Sequence, residues 1–134
     1  MRLVIDTNAA IEIVLGRPNM PAFRELLNQA EEVIAPELLQ IESGNVLWKL
    51  HRHGIIPNND IFPILQDIEA IVDKWYFFQQ LKPFAMPLAV EYQISVYDSC
   101  YLSLAKIENA ALLTLDKKLQ EATIKIGVEL AHSS

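Results

Sequence analysis

Four acids stand out by type and position. Asp6 follows the apolar run Leu3-Val4-Ile5 directly, and Asp116 follows Leu112-Leu113-Thr114-Leu115. Asp98 comes after Val96-Tyr97, at the start of an amphipathic stretch, and Glu42 lies in Pro36-Glu37-Leu38-Leu39-Gln40-Ile41-Glu42. Carboxylates gathered in one crevice repel one another and raise one another's pKa. Such a set stays ionised most easily around a hard cation, and oxygen ligands suit Mg²⁺ or Mn²⁺. A cation held this way lowers the pKa of a bound water and orients it against a phosphodiester. Each acid also has an ordinary reading. Asp is a favoured N-cap, so Asp6, Asp98 and Asp116 could each merely open a helix. Glu42, Asn45, Lys49 and Arg52 are spaced three, four and three apart, which is one helix face and could simply meet water.

The elements that must carry these acids alternate. Leu3-Val4-Ile5 reads as a strand buried on both faces. A helix follows from about Asn8 to Leu15 and stops at Gly16, with Pro18 beyond. A second helix runs from about Pro21 to Ala30, with proline in its first turn. Val33-Ile34-Ala35 is the next strand. Pro36 then opens a long helix that ends near His53-Gly54. Asn58, Asn59 and Asp60 offer N-caps for a helix to about Asp73. Trp75 to Phe78 is strand-like by its aromatics. A helix from about Pro83 to Gln93 is weakened by Pro87. Asp98 to Glu108 is a clearer helix, with Tyr97, Tyr101, Leu104 and Ala105 on one face. Ala111 to Thr114 is another buried strand, a short helix starts near Asp116, and Gly127 to Leu130 reads as an edge strand. Alternating strands and helices with apolar strands predict a parallel α/β sheet covered on both sides. In such sheets the functional crevice lies beyond the carboxyl ends of the strands, where Asp6 and Asp116 fall.

The chain has 134 residues, 51% of them hydrophobic and 21% charged, which is a globular composition able to bury a core without staples. Residues 1–134 read as a single domain, since no linker, charge block or repeat divides them. Cys100 is the one cysteine, which excludes an internal disulfide framework and fits a reducing compartment. No apolar stretch reaches the roughly 18–20 residues of a membrane span. Asp6 interrupts what would be a signal peptide's apolar region, so the expected location is the cytoplasm, with no membrane partner. A formal charge of −6 argues at first against nucleic acid, because neutralising phosphates needs clustered bases. Without the four site acids, 13 acids face 11 bases, an ordinary surface.

Other conspicuous residues have quieter explanations. Cys100 has apolar neighbours and reads as a small buried hydrophobe. His51 and His53 are two apart on a helix, point apart, and suit the helix C-terminus better than a metal. Arg17, Arg24, Lys49, Arg52, Lys117 and Lys118 read first as solvated charge and second as phosphate contacts. Trp48, Trp75, Phe77 and Phe78 read as core or subunit interface rather than as base-stacking platforms. Mean hydropathy is +0.19, and Phe62, Ile64, Leu65, Ile68, Ile71 and Val72 crowd one predicted helix. A patch of that kind marks a partner site, for which a two-fold homodimer is the commonest solution.

The motifs carry a resemblance. Val4-Ile5-Asp6-Thr7-Asn8 looks like the opening motif of PIN-domain nucleases. Pro36 to Glu42, continuing to Asn45-Val46-Leu47-Trp48, resembles the second. Tyr97-Asp98-Ser99-Cys100-Tyr101-Leu102-Ser103-Leu104-Ala105 resembles the third, and Leu113-Thr114-Leu115-Asp116-Lys117-Lys118-Leu119 the fourth. Each alone is weak; all four in order, from residue 4 to 119, are specific. The most similar subgroup is the small VapC-type toxins of toxin–antitoxin pairs. The resemblance implies a three-layer α/β/α sandwich with a mainly parallel sheet. It implies an Mg²⁺- or Mn²⁺-dependent endoribonuclease, often a homodimer, inhibited by a cognate antitoxin. The family's acids fall on Asp6, Glu42, Asp98 and Asp116, as catalytic residues and metal ligands. Thr7, Asn8, Asn45 and Thr114 fall on the supporting polar positions. Phe62 to Phe84, Pro87 and the tail after Ala122 depart from the pattern, which bears on dimer geometry and RNA specificity. Two other readings compete. A catalytically silent PIN-like module would bind RNA or protein without cutting. A receiver-like signalling domain would want adjacent acids after the first strand and a lysine after the last, and neither is present.

Overall fold

The structure is a computed structural model that describes residues 1–132. Its four strands are β1 (Arg2–Ile5), β2 (Glu32–Pro36), β3 (Lys74–Tyr76) and β4 (Ala111–Leu113). They form one wholly parallel sheet in the order β3-β2-β1-β4. The helices are α1 (Thr7–Val14), α2 (Met20–Gln29), α3 (Leu38–Arg52), α4 (Asn58–Ile71), α5 (Phe78–Tyr92), α6 (Val96–Ile107) and α7 (Lys117–Ile126). The architecture is an α/β/α sandwich, as the alternation predicts. Leu3, Val4, Ile5, Ile34, Ala35 and Leu112 are wholly buried, which follows from a sheet covered on both faces. Helix α6 packs on β1, β2 and β4 with α5 against it, and α1 gathers α2, α3 and α4. None of the described helices is long and apolar enough to cross a membrane.

The strand order has one consequence for function. From β1 the chain builds outward through β2 to β3, then returns to β1's other side for β4. The sheet therefore reverses its winding between β1 and β4. A crevice opens at the carboxyl ends of two strands whose connections leave in opposite directions. Asp6 and Asp116 both follow strands at that reversal.

Several boundaries differ from the sequence reading. Pro36 closes β2 instead of opening α3, because its φ suits an edge of regular structure and its missing N–H is no loss at a strand end. Asn58, Asn59 and Asp60 are already helical, and Pro57 occupies the N-cap without a side-chain bond. The aromatic strand is shorter than expected: Tyr76 ends β3, and Phe78 opens α5. Helix α5 begins well before Pro83 and runs through both Pro83 and Pro87. An interior proline costs about 3 kcal/mol. Burial of Leu81, Ala85 and Ala89 offsets it, and the Ser99 hydroxyl donates to Ala85 O at 2.6 Å from α6. Ser95, not Asp98, caps α6, its Oγ accepting from Asp98 N–H at 3.0 Å. Tyr97 is exposed, whereas Tyr101, Leu104 and Ala105 are buried as expected. Gly127 takes a left-handed conformation at the end of α7, so no strand starts there. The predicted edge strand reduces to one parallel bridge between Leu130 and Leu112.

Candidate active site

The crevice is a polar pocket of about 210 Å³ lined by Asp6, Thr7, Asn8, Glu42, Asn45, Val46, Asp98, Tyr101, Asp116 and Leu119. All four acids singled out from the sequence meet in it, although they come from four separate segments. Thr7, Asn8 and Asn45 line it too. Thr114 stands behind the pocket and acts through hydrogen bonds.

Asp6 is the most constrained of the acids. It caps α1, its Oδ1 accepting from Ala9 N–H at 3.0 Å, while its Oδ2 accepts from the Thr114 hydroxyl. The capping and site readings of Asp6 are therefore compatible in one side chain. Only 5% of the residue is exposed. Burial pushes its carboxyl up to about 6, the nearby charges of Asp116 and Glu42 add to the rise, and the bonds from Thr114 and Ala9 oppose it. Thr114 Oγ1 also accepts from Asp116 N–H at 3.0 Å, and Asp116 Oδ1 in turn caps α7 through Lys118 N–H at 2.9 Å. One threonine hydroxyl thus couples the residues that follow β1 and β4.

Glu42 is held from two sides. Its Oε1 accepts from Tyr101 Oη at 2.6 Å and from Thr7 Oγ1 at 3.1 Å. The solvated-face reading fails for Glu42, which is half-buried in the pocket wall, but holds further along α3. There Arg52 is exposed and lies over the Trp48 ring at 4.9 Å. Asp98 is raised above the usual carboxylate range by burial first, then by the charges of Asp116 and Glu42. The Ser95 hydroxyl and Lys118 oppose that rise.

Tyr101 also lines the pocket; the sequence reading placed it on one helix face and in the third motif but gave it no role in the site. Its signal was the three-residue step from Asp98, which puts both side chains on one side of α6. Burial, and then the charge of Glu42, push its phenol far above the ordinary value, so it remains a donor. Cys100 is buried as predicted and its thiol is pushed up to about 11, chiefly by burial. His51 Nδ1 lies 3.0 Å from Ile56 O, away from the pocket.

The donor set fits a hard divalent cation in kind. Four carboxylates share one pocket, and among the described residues no base comes within ion-pair distance of any of them. In spacing the set is more open. Among the described residues, no three acidic, His or Cys side chains stand close enough to hold an ion as they are.

The molecule is a doubly covered parallel α/β sheet with a carboxylate-lined pocket at its winding reversal. The PIN domain pattern matches residues 3–125, and the chain belongs to the PIN domain family. It is 30% identical over 129 residues to Ribonuclease VapC3 of Pyrobaculum aerophilum, covering 90% of this chain and 94% of that protein. The crystal structure of PAE2754 from Pyrobaculum aerophilum superposes with a TM-score of 0.73 at 21% identity, over 91% of this chain and 79% of that one. VapBC2 from Rickettsia felis, bound to a DNA fragment from their promoter, gives a TM-score of 0.73 at 17% identity over 100% of both chains. At these identities the structural likenesses concern the fold.

Proposed function

We propose that this chain is a divalent-metal-dependent endoribonuclease and the toxin of a toxin–antitoxin pair. The observation that carries the reading is the four-carboxylate pocket at the reversal of a PIN-family sheet. The name of the relative, a ribonuclease, and the VapBC pair among the structural neighbours support it.

In this reading Asp6, Glu42, Asp98 and Asp116 hold Mg²⁺ or Mn²⁺ and are the catalytic residues. Thr7 and Thr114 fix Glu42 and Asp6, and Asn8 and Asn45 offer amide groups to substrate or water at the rim. A divalent cation here supplies positive charge against the phosphodiester and acidifies a water. The protein's own part is orientation. Asp6 presents a carboxylate whose position is set by a backbone N–H and a hydroxyl. Glu42 has one oxygen engaged, so the other is free of protein donors among the described residues. Four carboxylates repel an RNA backbone when no cation offsets them, so substrate binding itself should require metal.

The proposal takes residues 1–134 as one catalytic domain working in the cytoplasm, as a homodimer, with an antitoxin that plugs the acidic pocket with Arg or Lys. A second reading, a silent PIN-like module that binds RNA or protein, is favoured by one observation, the lack of a ready three-acid cluster among the described residues. One assay separates the two. Structured RNA is incubated with the protein in Mg²⁺, Mn²⁺ or EDTA, beside Asp6→Asn. Cleavage that needs the cation and is lost in Asp6→Asn supports the nuclease. Cleavage by Asp6→Asn at the wild-type rate would remove the assignment.

A further inference from the structure

We propose that Tyr101 is a positioning residue that fixes the rotamer of Glu42, directing Oε1 to protein hydroxyls and leaving Oε2 for the pocket. The inference rests on the reading of Glu42 as a member of a cation site and extends it to a residue outside the acid set.

The geometry is a three-oxygen cluster. Tyr101 Oη lies 2.6 Å from Glu42 Oε1, Thr7 Oγ1 lies 3.1 Å from the same oxygen, and the two hydroxyl oxygens are 3.1 Å apart. Two hydroxyl protons serve three contacts. A carboxylate is the strongest acceptor of the three, so both protons point at Oε1. The hydroxyls come from different elements: Thr7 opens α1 just after β1, and Tyr101 lies in the second turn of α6. Glu42 is reached across 35 residues from one side and 59 from the other. A glutamate side chain gives up rotamer freedom when it is fixed. With the fixing done in advance, a cation arriving at Oε2 meets an ordered ligand.

Helix α6 thereby has two duties on one face, Asp98 in the pocket wall and Tyr101 three residues on as the clamp. The competing account is structural. Tyr101 is 2% exposed, and a buried phenol must bond something. Loss of fold stability alone would not distinguish these accounts, but cation affinity does. Partners that orient a metal ligand typically change affinity or activity by about 10–100-fold when removed.

The test is a titration of the intact protein with Mn²⁺, read by electron paramagnetic resonance, for wild type, Tyr101→Phe, Glu42→Gln and the double variant. Thermal melts run alongside. Tyr101→Phe should weaken Mn²⁺ binding by about tenfold or more. Adding it to Glu42→Gln should change affinity by less than about twofold, because the residue it positions is already altered. Wild-type affinity in Tyr101→Phe overturns the proposal, as does a full additive loss in the double variant or no Mn²⁺ binding by the wild type. If Tyr101→Phe does not fold, Thr7→Val reads the same clamp from its other side, and Thr7→Ser should restore most of what Thr7→Val loses. Equal affinities in those two variants would equally overturn it. RNA cleavage measured in parallel reports on the nuclease reading separately. Mn²⁺ affinity that depends on Tyr101 without RNA cleavage keeps the clamp and removes the nuclease.

Discussion

The Thr114 hydroxyl donates to Asp6 Oδ2 across 108 residues of sequence, and its oxygen accepts the Asp116 N–H at 3.0 Å. This one side chain joins the ends of β1 and β4 where the sheet reverses. It uses both of its hydrogen-bonding capacities on residues of the candidate site. Its position follows from the parallel register of the two strands, in which Ile5 pairs with Leu113. The residues that come next, Asp6 and Thr114, are then neighbours at the crevice.

Thr114→Val should therefore loosen the site as well as the fold. Valine keeps the shape and removes the hydroxyl, leaving Asp6 Oδ2 and Asp116 N–H without that partner. Buried groups left so cost about 1–3 kcal/mol each. The expected outcome is an unfolding free energy, from urea titration, lowered by about 1–3 kcal/mol, with RNA cleavage reduced by more than tenfold. Thr114→Ser should keep most of both. An unchanged cleavage rate in Thr114→Val would mean that Asp6 needs no help from β4.

Asp6→Asn should stabilise the metal-free protein at neutral pH while ending cleavage. Folding raises the Asp6 carboxyl from 3.8 to about 6, so the folded chain holds that proton more tightly than the unfolded one. The contribution is full below about pH 4 and is lost as pH rises through about 6. That rise corresponds to roughly 3 kcal/mol, the order of strain that ionised Asp6 places on the metal-free fold at pH 7.5. Asparagine can still accept from Ala9 N–H and donate to Thr114. Melts in EDTA should show Asp6→Asn above wild type at pH 7.5 and level with it near pH 4. A lower midpoint at both pH values would mean that the charge is not a burden.

Cleavage should fall on the acid side near pH 6. Asp6 and Asp98 are both raised by burial and by the acids around them, so protons compete with a cation for them at mildly acidic pH. Metal affinity should weaken as pH drops from 7 to 5.5, and saturating Mg²⁺ should move the acid limb of the cleavage profile to lower pH. A profile insensitive to metal concentration would separate these carboxyls from the cation.

Part of this candidate site was legible in the sequence because two of its acids, Asp6 and Asp116, follow short apolar runs. Strands buried on both faces have no other pattern, so the residue after each run marks a carboxyl end. Asp6 and Asp116 could be located that way, and the parallel sheet followed from the same runs. Strand order could not be read, since nothing local to Glu32–Pro36 says which edge of β1 it takes. Tyr101 was hidden by its own apolarity: a buried tyrosine in a helix looks like core until its hydroxyl is traced to Glu42. Helix α5 was misread because proline rules are local, whereas burial of Leu81, Ala85 and Ala89 against α6 is tertiary. The crowded helix Asn58–Ile71 leaves less apolar surface open than its composition suggested. Ile68 is wholly buried and Ile64, Leu65 and Ile71 pack on the core, leaving Phe62 exposed.

Glu12 is a further case that only the fold explains, and it yields a stability prediction independent of catalysis. It sits within α1, 6% exposed, with no base paired to it among the described residues. Its Oε2 accepts from Asn19 N–H at 2.9 Å and from Asn19 Nδ2 at 3.0 Å. Asn19 is the N-cap of α2 and makes no side-chain cap bond of its own, so Glu12 fixes where α2 begins. The turn it closes contains Gly16 at φ 66°. Glu12→Ala removes a carboxyl acceptor from two donors, and hydrogen bonds to carboxylates are worth about 1.5–3 kcal/mol each. The loss should appear as an unfolding free energy, from urea titration, lowered by roughly 2 kcal/mol, less than two full bonds because exposed Asn19 can turn its donors to water, with faster amide exchange at Asn19 and the first turn of α2. Glu12→Gln retains an acceptor oxygen and should recover about half. Cleavage per folded molecule should be unaltered in both variants, since Glu12 lies outside the pocket. If Glu12→Ala melted like the wild type, the α1–α2 turn would have to be held by the packing of Phe23 and Leu26 instead.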